Sequence, residues 1–412
     1  MRLVLLLVVL GGFALRVYRL DAHDIWGDEA VSIYRSSMSL LELLATKIET
    51  HPPGYPALLF VWLRVAGIEP FATRLLSVLL GVVGVALTYA LGRAVGSRGV
   101  GLLGATLMAG SPFAVYYSQE TRMYMLALVL TLSASLALCR WVRHASGAAR
   151  RDASDRSLTI WAIVTAAGLS THYYTAFVLA AHHLAVAVAR RRAAVPLRPW
   201  VVAQLPVAVV AASLALTQAA FLSGQARWSE LSDGVAEALT VWVQSVEALG
   251  VGTTPARAWP WGALGPPLVA LCGIGVALRG ARPRHGRDPH AIALAALLPF
   301  TLVVPLALAA VASLAMPLFH PRYLLICLPS FLLLVALAVL AVAQPSPTAP
   351  MGAIRSLRLV AAAGLLAVGT VPGVLSLHAY YTDPTYAKGG YGRLMTVVRR
   401  EAQPGDALLL AN

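Results

Sequence analysis

Residues 73–92 read TRLLSVLLGVVGVALTYALG, an apolar run of the length that crosses the hydrocarbon core of a bilayer as a helix. Comparable runs recur along almost all of the 412 residues, which are 58% hydrophobic and only 12% charged. A soluble domain carries roughly twice that charged fraction. The sequence therefore predicts an all-α polytopic membrane protein.

We predict eleven transmembrane helices, at residues 3–19, 73–92, 99–117, 123–141, 158–172, 174–190, 200–222, 261–279, 290–315, 323–343 and 359–379. The first run precedes no small-x-small cleavage site, which indicates an uncleaved helix rather than a signal peptide. The shorter apolar stretch 53–67 is interrupted by Arg64 and is predicted to lie at the membrane interface.

The charged residues predict an orientation with the N-terminus in the cytoplasm. In that orientation only Asp152, Asp155 and Asp288 of the 18 acidic residues face the cytoplasm. Cytoplasmic loops then hold 18 of the 32 basic residues: Arg2, Arg93, Arg98, Arg140, Arg143, Arg150, Arg151, Arg156, Arg190, Arg191, Arg192, Arg198, Arg279, Arg282, Arg284, Arg287, Arg355 and Arg358. This distribution follows the positive-inside rule. The net charge of +14 thus reflects topology and contact with anionic lipids, not nucleic-acid binding.

Five polar motifs fall on the outer face in this topology. They are IWGDEA at residues 25–30, HPPGY at 51–55, YSQETRMY at 117–124, the single His172, and HPRY at 320–323. A random scatter would divide such motifs between the two faces. Their convergence on one membrane surface predicts a site that performs chemistry there.

The acidic pair of the first motif suits a group transfer. An acceptor hydroxyl is a poor nucleophile and needs a base within hydrogen-bond distance, for which Asp28 is the candidate. Glu29 would orient the acceptor or cap a helix. The two side chains would diverge by about 100° on a helix, so they are not expected to act as a dyad. The alternative is structural, because acidic residues stabilise the first turn of a helix.

Two arginines at outer ends of spans, Arg122 and Arg322, are candidates to bind a departing phosphate, since the guanidinium group binds phosphate in a bidentate fork. Interfacial anchoring by a snorkelling side chain is the alternative for each. Glu120 would pair with Arg122, hold a metal or serve as a second carboxylate. His51 would bind a metal or the acceptor, or be a plain loop histidine. His172 adjoins an aromatic pair and is equally explained by a structural role.

The order of these motifs resembles that of glycosyltransferase family 39. The resemblance rests on WGDEA, HPPGYP, the RLLS that opens the next span, SPFxxYYSQETRMYM and HPRYL, and is strongest over residues 20–130. It implies a C-type membrane glycosyltransferase that uses a polyprenyl-phosphate sugar on the outer face and inverts the anomeric centre. The family's acidic motifs match Asp28–Glu29 and Glu120 with Arg122.

The resemblance implies a separate role for each group of candidate site residues. Asp28, Glu29 and Glu120 are expected to be catalytic, and Arg122, Arg322, Tyr124 and Tyr323 to bind the donor phosphate. His51, Tyr55 and His172 are expected to contact the acceptor or a metal, with His51 as the metal ligand. A divalent metal ion is the one cofactor considered. The expected partners are membrane lipids, the polyprenyl-phosphate sugar, and an extracytoplasmic glycan, lipid or protein acceptor.

Residues 1–379 are predicted to form the transmembrane glycosyltransferase domain, with its first external loop at 20–72. Residues 380–412 turn polar and are predicted to begin an extracytoplasmic α/β domain that is truncated here. The skew toward arginine over lysine indicates a GC-rich bacterial genome and hence the inner membrane.

Two other functions remain open from the residues. A secondary transporter or lipid flippase would place charges in mid-span and show internal repeats, whereas these charges lie at span ends. A surface-polysaccharide polymerase or ligase would share much of this topology, but the early acidic loop counts against it.

Overall fold

The computed structural model describes residues 1–45, 51–145, 151–225, 235–253, 263–282, 289–315, 320–344 and 353–386, together with five single positions between 396 and 403. The described chain is helical: α1 Arg2–Val17, α2 Gly27–Ser37, α3 Leu40–Ala45, α4 Gly54–Ala66, α5 Pro70–Val95, α6 Arg98–Gly110, α7 Pro112–Ser118, α8 Tyr124–His144, α9 Arg151–Leu169, α10 Thr175–Ala193, α11 Leu197–Gln225, α12 Val235–Val251, α13 Gly265–Gly280, α14 Pro289–Ala295, α15 Leu297–Ala315, α16 Leu328–Ala343 and α17 Ala353–Thr382. Short 3₁₀ helices span Pro321–Cys327 and Pro384–Tyr386.

The loop predicted to be external, residues 20–72, is largely helical where the structure describes it, as predicted. Its helices α2, α3 and α4 are 11, 6 and 13 residues long, too short to cross a bilayer. α4 coincides with the stretch predicted at the interface, and it packs against α2 and α5. The loop is therefore a folded layer against the helical bundle.

The third predicted span, at 99–117, is broken rather than continuous. α6 and α7 meet at an angle of 56°. Pro112 has no N–H to continue the helical hydrogen bonds, and the Ser111 hydroxyl accepts a hydrogen bond from the N–H of Ala114 at 3.4 Å, which starts a new helix. The predicted spans at 290–315 and 323–343 are also divided, into α14 with α15 and into the 3₁₀ helix with α16.

The structure supports fewer membrane-spanning helices than the eleven that the sequence predicts. Within the described ranges, five helices are long and apolar enough to cross a membrane, or six if α6 and α7 count as one. α4, α13 and most of α15 are apolar but shorter. Eleven spans are thus not confirmed, although a helical bundle with several membrane-length helices is.

Two further predictions, for the segment around α12 and for the C-terminal residues, also need comment. α12 was not expected, because Glu237 and Glu247 interrupt its apolar pattern. It packs against the 3₁₀ helix that carries Arg322. The predicted C-terminal α/β domain at 380–412 falls almost entirely outside the described residues.

The break between α6 and α7 is stabilised by a buried arginine from α1. Arg16 has no exposed surface. Its guanidinium donates to the carbonyl oxygens of Met108 and Ala109 at 3.0 and 2.9 Å and to the Ser118 hydroxyl at 3.1 Å. A Cβ atom at Gly81 would lie 2.8 Å from Arg16 Nε, so glycine there leaves room for the guanidinium. The carbonyls freed by the bend are therefore satisfied by Arg16.

We predict that Arg16→Leu destabilises the fold, because it leaves these buried carbonyls without donors, at a cost on the order of 3 kcal/mol. Thermal unfolding of the purified protein in detergent measures the effect. Arg2→Leu, at the exposed end of the same helix, is the control and should leave the melting temperature unchanged. Equal melting temperatures for both variants would contradict this role of Arg16.

The predicted orientation is tested with two serines that are both exposed, Ser37 at the C-terminal end of α2 and Ser97 directly before α6. In a Cys272→Ala background, which removes the exposed native thiol, each serine is changed to cysteine in turn. A membrane-impermeant maleimide should label Ser37→Cys in right-side-out vesicles and label Ser97→Cys only after permeabilisation. Labelling of both cysteines, or the reverse order, would overturn the topology.

Candidate active site

Three segments that are far apart in the chain meet around the Asp28 side chain. The guanidinium Nη1 of Arg322 donates to Asp28 Oδ2 at 2.9 Å, across 294 positions of sequence. Arg122 donates to the backbone oxygen of Asp28 at 2.9 Å, and its Nη2 lies 4.0 Å from Asp28 Oδ2. One carboxylate therefore faces two arginines.

Asp28 and Glu29 occupy the first turn of α2 and point in different directions, as their helical offset predicts. The Asp28 side chain is 34% exposed, whereas Glu29 is completely buried. Of the two, only the Asp28 carboxylate has surface that a ligand can reach. The stabilising effect of acidic residues on a first turn applies to both and does not separate their roles.

Glu29 forms a buried ion pair with Arg74 of α5. Arg74 Nε and Nη2 donate to the two oxygens of the carboxylate at 2.9 and 2.7 Å, and the backbone N–H of Thr121 donates to Glu29 Oε1 at 2.8 Å. The same guanidinium donates to the backbone oxygens of His23 and Asp24 at 2.7 and 2.8 Å. This pair thus joins the first loop, α5 and the turn before α8.

Glu120 is also buried, with 1% of its surface exposed. Its side chain forms a hydrogen bond with Tyr116, and its backbone oxygen accepts from the N–H of Arg122 at 2.9 Å. This predicted catalytic carboxylate thus lies in the interior of the protein, where it has almost no exposed surface.

The two arginines differ in burial and in their partners. Arg122 is 4% exposed, and its Nη1 also donates to the Ser32 hydroxyl at 2.7 Å, so it ties α2 to the 120–123 turn. Arg322 is 19% exposed and lies 5.8 and 5.6 Å from the ring centroids of Tyr124 and Tyr323. Arg322 is thus the arginine that a ligand can reach.

An aromatic cluster, formed by His51, Tyr124, His172, Tyr174 and Tyr323, adjoins Arg322. The His172 ring lies 4.9 Å from Tyr323, 5.4 Å from His51, 5.4 Å from Tyr174 and 6.1 Å from Tyr124, between ring centroids. Burial, together with the neighbouring His51, Arg122 and Arg322, lowers the pKa of His172 well below its usual range. The ring is therefore neutral at physiological pH.

The HPPGY motif reaches the cluster through a close backbone contact. The N–H of Gly54 donates to the Ser170 carbonyl at 2.7 Å, and a Cβ atom at position 54 would lie 2.5 Å from that oxygen. Only glycine permits this approach, which brings His51 against His172. Tyr55 follows in the first turn of α4 and is buried, with 1% of its surface exposed.

The donor set does not fit a metal ion. Within the described residues, no group of three or more histidine, cysteine or acidic side chains is close enough to hold one. His51, the predicted ligand, has His172 and Tyr323 as ring neighbours.

The sequence analysis missed Arg74 and Tyr174. Arg74 stands in the RLLS motif at the start of an apolar run, and an arginine in that setting needs a buried acidic partner. That requirement was the signal that could have predicted the pair with Glu29. Tyr174 adjoins His172, but only the packing of the turn between α9 and α10 shows that it contacts Tyr323, at 5.2 Å between ring centroids.

Residues 50–217 match the family model described as dolichyl-phosphate-mannose-protein mannosyltransferase. Two solved structures share the fold over 97% of this chain. Archaeal oligosaccharyltransferase AglB from Archaeoglobus fulgidus is 12% identical, with a TM-score of 0.62 and 58% of its own chain covered. ArnT from Cupriavidus metallidurans is also 12% identical, with a TM-score of 0.60 and 81% of its chain covered.

The fold is therefore that of the C-type membrane glycosyltransferases, to which AglB and ArnT both belong. The resemblance to glycosyltransferase family 39 that the motifs indicate is confirmed. The chain spans little more than half the length of AglB. A comparison with curated protein sequences finds no match.

We predict that Glu29→Gln destabilises the protein far more than Asp28→Asn. The first change leaves the buried Arg74 without its charged partner, which costs on the order of 3 kcal/mol. The second removes a charge from a partly exposed site. Melting temperatures in detergent compare the two neighbouring, chemically matched substitutions, and equal losses would contradict a structural role for Glu29.

Proposed function

We propose that this protein is an inverting glycosyltransferase that moves a sugar from a polyprenyl-phosphate carrier to an extracytoplasmic acceptor. The observation that carries the proposal is the contact between the partly exposed Asp28 carboxylate and Arg322 at 2.9 Å. This contact sets a proton acceptor beside a phosphate-binding group, and the transfer requires both. The sugar can be a hexose or a pentose on this reasoning.

The bound molecules of the related structures support this class of donor. One AglB structure holds dolichol-phosphate and an inhibitory peptide, and one ArnT structure holds undecaprenyl phosphate. Both lipids carry a phosphate headgroup on a polyprenyl chain. The acceptor of the present protein is a glycan, lipid or protein.

Asp28 acts as the general base in this mechanism. Its carboxylate takes the proton of the acceptor hydroxyl while the acceptor oxygen forms a bond to the anomeric carbon. The bond between that carbon and the phosphate oxygen breaks on the opposite face, and its electron pair leaves with the phosphate. A single displacement of this kind inverts the anomeric centre.

Arg322 stabilises the departing phosphate. The phosphate gains negative charge as the glycosidic bond breaks, and a guanidinium binds such a group with paired hydrogen bonds. Binding of the donor would draw Arg322 from Asp28 toward the phosphate, leaving the carboxylate free for the acceptor. Arg122, held by Ser32 and the Asp28 backbone, positions the carboxylate.

No step of this mechanism passes through a metal ion, because the described residues present no suitable set of ligands. One of the AglB structures contains zinc, which is a property of that protein. We place the site at the outer surface of a bacterial inner membrane, on the distribution of arginine among the loops.

Asp28→Asn should lower sugar transfer by at least about 100-fold, because asparagine cannot take the acceptor proton. The assay measures free polyprenyl phosphate released from radiolabelled polyprenyl-phosphate sugars by purified protein in lipid. Asp24→Asn is the control, since it makes the same change at an exposed acid of the same loop.

Substantial transfer by Asp28→Asn would remove Asp28 as the base. Release of polyprenyl phosphate by the wild type without any dependence on Asp28 would point to a different catalytic carboxylate. Movement of the intact lipid-linked sugar across the bilayer without release would identify a flippase instead.

A further inference from the structure

His172 carries a buried N–H group whose position follows from its hydrogen bonding. The backbone N–H of Tyr174 donates to His172 Nδ1 at 3.2 Å, so Nδ1 is the acceptor nitrogen of the ring. The ring is neutral, because burial and nearby positive charge disfavour its protonated form. The single ring proton therefore resides on Nε2.

This Nε2–H group has no hydrogen-bond partner among the residues that the structure describes, although His172 is only 3% exposed. The Tyr124 hydroxyl and Arg322 Nε are also buried atoms without a hydrogen-bond partner among the described residues. The three side chains are neighbours: Tyr124 lies 6.1 Å from His172 between ring centroids and 5.8 Å from the Arg322 guanidinium carbon. Buried polar groups in native proteins are almost always paired, so three such atoms together indicate a ligand that completes them.

The side chains that surround the His172 ring are mostly aromatic. Tyr323 and Tyr174 lie 4.9 and 5.4 Å from His172 between ring centroids, and His51 lies at 5.4 Å. Aromatic faces pack against the apolar C–H surface of a ring, and a phenol hydroxyl and an imidazole N–H supply hydrogen bonds at its edge. A sugar presents both kinds of surface.

We propose that the aromatic cluster is the donor-sugar subsite, in which His172 Nε2–H and the Tyr124 hydroxyl hydrogen-bond to sugar hydroxyl groups. This inference rests on the proposed function and extends it to the selection of the sugar. Arg322 lies at the boundary, with the carrier phosphate on one side and the sugar on the other.

Because the His172 ring is neutral and Arg322 is cationic, we assign the sugar to His172 and the phosphate to Arg322. Phosphate is bound most strongly by cationic donors, and Arg322 is the reachable cation of the site. A neutral imidazole in an aromatic setting is a weaker partner for an anionic phosphate but a suitable one for a hydroxyl. A site built to hydrogen-bond a substrate hydroxyl also rejects analogues that lack it, which makes these residues determinants of specificity.

The test compares binding of two ligands by His172→Phe and Tyr124→Phe, in protein reconstituted into lipid nanodiscs. The ligands are undecaprenyl phosphate alone and undecaprenyl phosphate carrying mannose, glucose or arabinose in turn. For the sugar that wild-type protein binds most tightly, each variant should raise the Kd about tenfold, the effect of one lost buried hydrogen bond. The Kd for undecaprenyl phosphate should stay unchanged.

Two further variants make the result specific. His172→Gln retains an N–H near the position of Nε2 and should recover most of the affinity for the sugar-bearing lipid. His183→Phe makes the same change at an exposed histidine of α10 and should bind both ligands as the wild type does.

The other possible results distinguish failure of the proposed subsite from failure of the proposed function. Equal weakening of both ligands would assign His172 to the phosphate and overturn the proposed subsite. Unchanged binding of the sugar-bearing lipids by both variants would also overturn it, while leaving the proposed transferase intact. Failure of wild-type protein to bind any of these lipids would instead contradict the proposed function itself. Tyr124→Phe differs from the wild type by one oxygen atom, so it keeps the test valid if His172→Phe fails to fold.

Discussion

The ion pair between Glu29 and Arg74 is the contact on which the candidate site depends. Both side chains are essentially without exposed surface, and they connect α2, α5 and the loop between α1 and α2. An unpaired charge in a low-dielectric interior has a high free-energy cost. The ion pair therefore favours the one arrangement of these elements in which both charges are paired. The N–H of Thr121 joins the same carboxylate and brings in the turn that carries Arg122. The position of Asp28, the residue directly before Glu29, follows from that arrangement.

A second buried arginine, Arg16, supplies hydrogen bonds to backbone groups that the bend before α7 leaves without partners. Backbone groups within a membrane protein must be satisfied internally, since hydrocarbon offers them no hydrogen bonds. The bend before α7 frees the carbonyls of Met108 and Ala109, and Arg16 supplies the donors. Directly after α7, the Gln119 side chain donates to the backbone oxygens of Arg16 and Tyr18, both at 2.9 Å, which connects this segment to the end of α1. Arg16 of α1 and Arg74 of α5 thus form the buried polar contacts on either side of the segment that links these two helices.

The grouping of the site was predictable because a membrane restricts where polar residues lie. Asp28, His51 and Arg322 each stand at the predicted outer end of a span or in an outer loop, and that constraint alone predicts proximity. The local geometry was not predictable. Whether an acidic residue points into the bundle or toward the surface depends on its helical phase, which the motif IWGDEA does not reveal. The breaks before α7 and α16 could both have been expected, because Pro112 and Pro329 lie in the first turns of these helices and have no N–H to continue a preceding helix.

The two acidic residues at the start of α2 show how burial assigns roles to side chains of the same chemistry. Arg74 has 1% of its side chain exposed and meets Glu29 with two hydrogen bonds, so neither group can exchange its partner without opening the core. Arg322 and Asp28 are 19% and 34% exposed and share one short contact, which a ligand anion can replace. In the proposed mechanism, an incoming phosphate therefore competes with Asp28 for Arg322, whereas the buried Arg74 is not accessible to it. In that mechanism, the exchange that binds the phosphate also releases the carboxylate, so one guanidinium group links donor binding to activation of the base.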